Sequence, residues 1–552
     1  MGMLKRFFQV GTASILLLLA AMPIVGAAGP GLEMNVRAGF DGAARVNSQA
    51  PFVITVTNSG SSEFDGEAEV VGSNANNVNI KTIYAVPVSL APGAKKDITI
   101  NVPVFSIAKK IPVRLKKDGK VVLEKKYDFT KLINPVDRVI GILSDDPDSL
   151  RVLNGIKISN GMDEKTAMEM KIKLASSMYQ AGAAQIPNPA NMQEVPAEAI
   201  NLDKNTLPDE VGVLDTFDII VIDNFDTSSL TKKQVSALEN WVAEGRTLIV
   251  CTGPNQKKVY SGLPDSLKQF KFTKADQADV PSSIGTFTGK LAPAGKLVIA
   301  KGDIGKGKAL IGEKDSVLLA SYKIGNGHLG IMSFDPSTEP IASWNGAGDM
   351  WKKAVSGLQN EASANANNVF GSGISIPAQF SMANQGLVYN VPENQTPPFM
   401  FLLIMIGVYI VIVGPFIYIL LKIKDKRDYG WVIIPAAAFL FLGIIYVAGV
   451  KTRYTTAVLN NASVINLDSE NKQANISTSM GVFNNERGNM TVVYAKDSGI
   501  SSTPAYIDDG MVYRGGTFDP NAERVIGKLT MSDNIKNEIY DIPIWQPSHL
   551  EG

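Results

Sequence analysis

Two long apolar stretches without a charged residue constrain this chain more than any other feature. They are Phe399–Leu421 and Trp431–Val450. A helix needs about 20 apolar residues to cross the hydrocarbon core of a bilayer, and each stretch meets that length. Buried core helices are the alternative, but two uncharged runs of this length disfavour it. The sequence therefore predicts two transmembrane helices, at 399–421 and 431–450, and the lipid bilayer as a partner.

The short segment 422–430 between these stretches carries four basic residues, Lys422, Lys424, Lys426 and Arg427. Short loops rich in lysine and arginine stay on the cytoplasmic side of a membrane. We therefore expect a multi-pass cell-membrane protein with a cytoplasmic loop at 422–430 and most of the chain outside the cytoplasm.

The first 28 residues have the pattern of a signal peptide. Lys5 and Arg6 precede a short apolar run, and small residues follow at Ala27 and Ala28. This charged, apolar and small-residue order is typical of cleaved secretory signals. An uncleaved anchor is the alternative, but the apolar run is short for a membrane span. We predict a signal peptide at 1–28, which agrees with an external location of the residues that follow.

Neither predicted span contains an ionisable side chain. Transport pathways and proton relays usually place at least one such residue inside the membrane. This disfavours a transporter subunit and indicates an anchor. We expect Pro415 and Pro435 to kink the two helices. The small residues Gly407, Gly414, Ala436 to Ala438 and Gly443 predict close packing of one helix on the other.

The overall composition indicates where such a protein is found and which class of partner it lacks support for. Lys plus Arg and Asp plus Glu are both 53, so a balanced charge gives no support for a nucleic-acid partner. A single cysteine, Cys251, excludes an intramolecular disulfide, on which animal extracellular proteins commonly depend. Together with the signal peptide, this favours a protein of the bacterial cell envelope.

Residues 29–134 predict an all-β sandwich of immunoglobulin-like type. Short alternating strands are separated by turn residues, as in Pro51–Gly60, and an Asp118-Gly119 corner predicts a hairpin. Modules of this type usually serve in adhesion, spacing or presentation. No residue in this region indicates a particular binding site.

Residues 135–360 predict an α/β domain with a parallel sheet. The run Val139–Leu143 is continuously apolar, as a strand buried on both faces should be. Thr231 and Gln234 fit a capping box at the start of a helix that ends at Gly245. Further strands are expected at Asp218–Ile222, Thr247–Val250 and Gly327–Phe334.

This part of the chain resembles the class I glutamine-amidotransferase-like domain of membrane-anchored bacterial envelope proteins. The resemblance rests on Asp218–Asn224, Ser229–Gly245, Thr247–Val250, Gly325–Gly330, Phe334-Asp335-Pro336, Ser343-Trp344, Val413-Gly414-Pro415 and Arg427–Pro435. It implies an amidotransferase-like fold over roughly 138–450. Because one fold serves many functions, the resemblance is a poor guide to activity.

An active amidotransferase of this kind requires a cysteine on a glycine-flanked turn together with histidine and glutamate. Cys251 follows the predicted strand Thr247–Val250, which makes it a weak candidate nucleophile. Its context, Val250-Cys251-Thr252-Gly253-Pro254, lacks the expected Gly-x-Cys-x-Gly turn. No His-x-Glu pair follows His328. We therefore expect a degenerate domain in which Cys251 is a buried structural residue.

Four aspartates at predicted strand ends are weak candidates for a binding site: Asp145, Asp146, Asp223 and Asp226. Ligands of open α/β sheets bind beyond the carboxyl ends of strands, so these residues could converge on one crevice. Clustered carboxylates could hold Ca²⁺ or Mg²⁺. Capping of helices and loops is the simpler role for aspartate, and we expect it here, with no metal and no cofactor.

The remaining segments are a linker at 361–398 and an extracytoplasmic β-rich domain at 451–552. Together these patterns predict a non-catalytic, membrane-anchored envelope protein that presents external modules to a protein or glycan partner. An extracytoplasmic hydrolase or amidase that uses Cys251 or the aspartates is the alternative.

Overall fold

The computed structural model describes residues 31–73, 79–105, 110–135, 137–159, 194–313, 316–363, 399–450, 458–468, 473–483, 486–495, 523–542 and 547–551. The predicted signal peptide at 1–28 lies outside the described residues. So does the predicted linker after residue 363.

The N-terminal region is a β-sandwich. Its strands are β1 Leu32–Ala38, β2 Ala43–Arg45, β3 Ser48–Asn58, β4 Phe64–Ser73, β5 Ile80–Leu90, β6 Lys95–Val104, β7 Lys110–Lys117, β8 Lys120–Asp128 and β9 Lys131–Ile133. A sheet of order β1-β3-β6 packs on β5, β4, β7 and β8 of a second sheet. Alternate residues of β3 point into the core, where Phe52, Ile54 and Val56 are fully buried. The sandwich prediction is confirmed at this level, and its immunoglobulin type stays a prediction.

The predicted Asp118-Gly119 corner joins β7 to β8. Both residues have positive φ angles, of 51° and 73°, which are the values that a two-residue hairpin turn demands.

Six further strands are described in the far part of the chain. They are β20 Val458–Asp468, β21 Gln473–Phe483, β22 Gly488–Ala495, β23 Arg524–Met531, β24 Asn534–Ile542 and β25 Pro547–Glu551. One seven-stranded sheet runs in the order β22-β24-β23-β5-β4-β7-β8, with β23 parallel to β5. Leu529 and Ile535 join the sandwich core, so β23 and β24 share a core with the N-terminal strands. Strands β20, β21 and β25 form a separate small sheet.

The middle of the chain is an α/β unit. Its strands are β10 Arg138–Ser144, β11 Lys157–Ser159, β12 Glu194–Leu202, β13 Ile219–Asp223, β14 Thr247–Cys251, β15 Lys271–Asp279, β16 Lys296–Asp303, β17 Lys308–Glu313, β18 Ser316–Ile324 and β19 Gly327–Met332. Its helices are α1 Val211–Leu214, α2 Lys232–Ala243, α3 Gln256–Tyr260, α4 Ser282–Thr288 and α5 Ala347–Ser363. The main sheet has the order β11-β12-β10-β13-β14-β19-β18-β17, and the five strands from β12 to β19 are parallel.

Both faces of this sheet are covered. Helix α2 packs Trp241 on one face, and α5 packs Trp351 on the other, so the parallel strands β10, β13, β14 and β19 are buried on both sides. Helix α2 begins with the predicted capping box, in which the Gln234 amide donates to Thr231 Oγ1 at 3.2 Å. The parallel strands and the helix start are thus confirmed as elements.

The buried carboxylate of Asp218 joins the sandwich to the α/β unit. Arg45 of β2 pairs with it at 3.1 Å, Arg138 at 3.0 Å and Arg246 at 3.4 Å. The Val139 amide donates to the same carboxylate at 2.9 Å. Although burial opposes ionisation, the three guanidinium groups lower the pKa of Asp218.

Two helical segments are long and apolar enough to cross a membrane. The first comprises α6 Phe399–Val411, a π-helical turn at Ile412–Phe416 and α7 Ile417–Ile423, and the second is α8 Gly430–Val450. Tyr409 and Phe441 contact each other across the pair, with ring centroids 5.3 Å apart. The prediction that glycines bring the helices together is wrong for Gly407, Gly414 and Gly443, because a Cβ atom at each would contact nothing within 4 Å. Larger side chains make the contact instead.

Candidate functional site

The strand order of the α/β unit identifies one crevice as the place for a ligand. The chain passes from β10 outward to β12 on one side, and then returns to β13 on the other side of β10. Loops that leave two neighbouring parallel strands in opposite directions leave a gap between them, where open α/β sheets bind ligands. The last residue of β13 and the loops after β10 and β13 carry the four candidate aspartates. The prediction that they share one sheet edge therefore agrees with the topology.

Asp145 is held in an ion pair at this edge. Lys258 of α3 contacts its carboxylate at 2.6 Å and also donates to the carbonyl and side-chain oxygens of Asn224, at 2.8 and 2.9 Å. Asn224 has a φ angle of 46°, which asparagine tolerates better than most residues. Lys258 therefore ties the loops after β10 and β13 together.

Asp226 caps a turn, as the simpler hypothesis proposed. Its carboxylate accepts hydrogen bonds from the Ser228 amide at 3.0 Å and the Ser261 hydroxyl at 3.0 Å. The bonds from Ser228, followed by the one from Ser261, lower the pKa of Asp226. Asp146 is exposed and begins the 3₁₀ turn Pro147–Leu153 without capping it through its side chain.

Asp223 differs from the other candidates because it is fully buried. Within the described part of the chain, neither of its carboxyl oxygens has a hydrogen-bond partner of good geometry. Burial, and then the neighbouring charge of Asp335, raises the pKa of Asp223 to about 8. Asp223 therefore carries a proton at neutral pH.

The partner residue Asp335 was not predicted as a site residue. It follows β19 and is also buried. Asn255 donates to its carboxylate at 2.9 Å, and both the amide and the hydroxyl of Ser337 donate to the other oxygen, the amide at 2.9 Å. Gly253 passes so close that a Cβ atom there would lie 2.9 Å from the Asp335 amide. The only sequence signal for this residue was the Phe334-Asp335-Pro336 motif within the family resemblance.

Cys251 and His328 lie at opposite ends of neighbouring strands. In the parallel pair of β14 and β19, His328 is opposite Thr247, whereas Cys251 is opposite Met332. Four residues of strand separate the two positions, which corresponds to about 13 Å. Cys251 is fully buried, and burial raises the pKa of its thiol well above the usual value. This geometry does not form a cysteine–histidine pair.

The arrangement can hold a proton on a buried carboxyl group. The described residues contain no group of three or more His, Cys, Asp or Glu side chains that could hold a metal ion. The ribbon of β15 and β16 lies against this edge, where the Ala300 amide donates to the Ser333 carbonyl at 2.7 Å. The carboxyl pair is thus covered rather than open to a large substrate.

Comparison with known proteins gives one domain match. Residues 31–130 match a family described as a domain of unknown function, DUF8726. The matched range coincides with strands β1 to β8 of the sandwich. No curated protein matches the sequence significantly.

Similar solved structures share only small parts of the fold. An alkylpurine DNA glycosylase of Pseudomonas fluorescens is 9% identical over 20% of this chain and 33% of its own, with a TM-score of 0.15. A CARDB domain of Pyrococcus furiosus is 16% identical over 19% of this chain and 96% of its own, also at 0.15. A cycloisomaltooligosaccharide glucanotransferase of Paenibacillus sp. is 9% identical over 46% and 32%, at 0.16. This chain spans only a third of the glycosylase and of the glucanotransferase, and likenesses this slight assign no function.

Proposed function

We propose that this chain is a non-catalytic envelope protein, anchored by two membrane helices, whose external modules bind a protein or glycan partner. The observation that carries the proposal is the pairing of β23 with β5. One strand precedes the two apolar helices in sequence and the other follows them. Strands of one sheet must lie on one side of a membrane, so the pairing supports an even number of crossings between them.

The basic loop supports the orientation. Lys422, Lys424, Lys426 and Arg427 lie between the helices, and such loops stay in the cytoplasm. The family resemblance adds support, since it is to envelope proteins with a degenerate amidotransferase-like domain. A reporter inserted at Asp425 should therefore report the cytoplasm, and one after Asn360 should report the outside. The reverse result at Asp425 contradicts the proposal.

The alternative, an extracytoplasmic hydrolase or amidase, has one specific observation in its favour. Asp223 and Asp335 form a buried pair in which one carboxyl holds a proton at neutral pH, as a general acid does. The separation of Cys251 from His328 argues against the cysteine version of this activity. Complementation of a deletion strain separates the two functions. A chain with Asp223→Asn and Cys251→Ala should restore any deletion phenotype as well as the natural chain does, whereas failure with normal protein levels favours the enzyme.

A further inference from the structure

A polar groove of about 720 Å³ crosses the outer face of the β1-β3-β6 sheet. Two rungs of the sheet line it. Glu33, Thr57 and Lys95 lie side by side in one rung, and Asn35, Thr55 and Asp97 in the next. The opposite faces of these strands point into the sandwich core, so the groove residues stand on a rigid support.

The groove continues around the edge of β1 to the second sheet. Leu123 and Lys125 of β8 complete its lining. Within the described strands, β1 pairs only with β3, and β8 pairs only with β7. Both strands are therefore edges, and the groove opens between them at one side of the sandwich.

Positive charge predominates on this surface. Three cations, Arg37, Lys95 and Lys125, line the groove, and none has an ion pair among the described residues. Of the two carboxylates in the lining, Asp97 already accepts a hydrogen bond from the Thr55 hydroxyl at 2.7 Å, and Glu33 is the other. The adjoining β7–β8 hairpin exposes lysines at 110, 120 and 126 and acidic residues at 118, 124 and 128.

We propose that this groove binds an extended anionic polyol, a polymer with many hydroxyl groups and regularly spaced phosphate, sulfate or carboxylate groups. The cations would pair with the charged groups, and the threonine hydroxyls and the Asn35 amide would hydrogen-bond the hydroxyl groups. This inference rests on the proposed function as a binding module, and it names the ligand class.

The test measures binding of dextran sulfate and of neutral dextran to the full chain in detergent micelles. We expect dextran sulfate to bind and neutral dextran to bind at least tenfold more weakly. The triple variant Arg37→Gln, Lys95→Gln, Lys125→Gln should lose at least tenfold in affinity. A matched control, Lys204→Gln, Lys232→Gln, Lys233→Gln, removes the same charge from exposed positions of the α/β unit and should stay within twofold. Higher salt should weaken binding, because it screens exposed charges.

A second variant keeps the proposal testable if the triple variant fails to fold. Glu33→Gln removes a negative charge from the groove and should tighten the binding of dextran sulfate about threefold. Three results would overturn the proposal: no binding of dextran sulfate, an equal loss in the control variant, or equally tight binding of polyglutamate, which indicates an acidic peptide instead. Binding by the purified chain does not depend on its location, so failure here leaves the membrane anchoring untouched.

Discussion

Leu529 on β23 lies beside Tyr84 on β5 in a parallel pair, although both apolar helices separate the two residues in sequence. Both side chains are buried in the sandwich core. Lys528 strengthens the link on the outer face, where it pairs with Glu67 at 2.5 Å and with the buried Glu69 at 3.4 Å. Strand β23 is therefore an integral part of the N-terminal sandwich.

Leu529→Ala tests this shared core. The Leu529 side chain is fully buried, and removal of a buried leucine side chain costs about 2–5 kcal/mol of unfolding free energy. The melting temperature of the full chain in detergent should fall accordingly. Val525→Ala on the same strand is the control, because Val525 is 38% exposed and should cost well under half as much. Equal effects of the two substitutions would argue against a shared core.

Asp218→Asn tests the connection between the sandwich and the α/β unit. Removal of the carboxylate charge leaves Arg45 buried without its counter-charge, and breaking a buried ion pair costs about 3–5 kcal/mol. Asp215→Asn is the matched control. Asp215 pairs with Arg246 but is partly exposed, so its loss should cost less than about 1 kcal/mol. An unchanged melting temperature in Asp218→Asn would show that the ion pairs of Asp218 contribute little to stability.

The raised pKa of Asp223 predicts that the stability of the folded chain depends on pH. Its pKa is raised to about 8 in the folded chain, against about 4 when unfolded, so the folded state binds more protons between these values. The contribution of Asp223 to the free energy of unfolding is fully present below about pH 4 and is lost as the pH rises through 8. The free energy of unfolding falls by at most about 1.4 kcal/mol per pH unit over this range. Asp223→Asn mimics the protonated carboxyl and should flatten the decline in melting temperature from pH 5 to 8.

Asp145→Asn is the control for that experiment. Asp145 is exposed and paired with Lys258, so its replacement should leave the slope of the natural chain unchanged. If the melting temperature falls equally with pH in the natural chain, in Asp223→Asn and in Asp145→Asn, then Asp223 is ionised in the folded chain.

Cys251 should resist modification in the folded protein. Its side chain is fully buried, and its raised pKa keeps the thiol protonated, whereas maleimides react with the thiolate. We expect almost no labelling in native conditions and complete labelling in denaturant. Rapid labelling of the native chain would indicate an accessible, activated cysteine and would favour the hydrolase alternative.

The sequence predicted those features that depend on local patterns. The apolar strands β10, β13 and β14 and the capping box of α2 can be recognised from a few consecutive residues, so these elements were found. The pairing of β23 with β5 could not be found in this way, because no local pattern specifies which distant strand completes a sheet.

The candidate sites were predictable only in part. Strand ends of a parallel sheet meet at one edge, so Asp223 could be proposed before the structure was known. Its partner Asp335 follows a strand that is distant in sequence, and only the register of β14 and β19 brings it near. The groove residues are ordinary surface side chains of separate strands, and nothing in their spacing distinguishes them.

We propose that the residues before the two membrane helices and the residues after them both lie on the outer side of the membrane. The most direct test of this proposal places single cysteines at the exposed positions Ser61, Lys426 and Asp533, each in a Cys251→Ala background. Intact cells are then treated with a membrane-impermeant maleimide. We expect labelling of Ser61→Cys and Asp533→Cys on intact cells, and of Lys426→Cys only after permeabilisation. Labelling of Lys426→Cys on intact cells, or opposite results for Ser61→Cys and Asp533→Cys, would contradict the proposal.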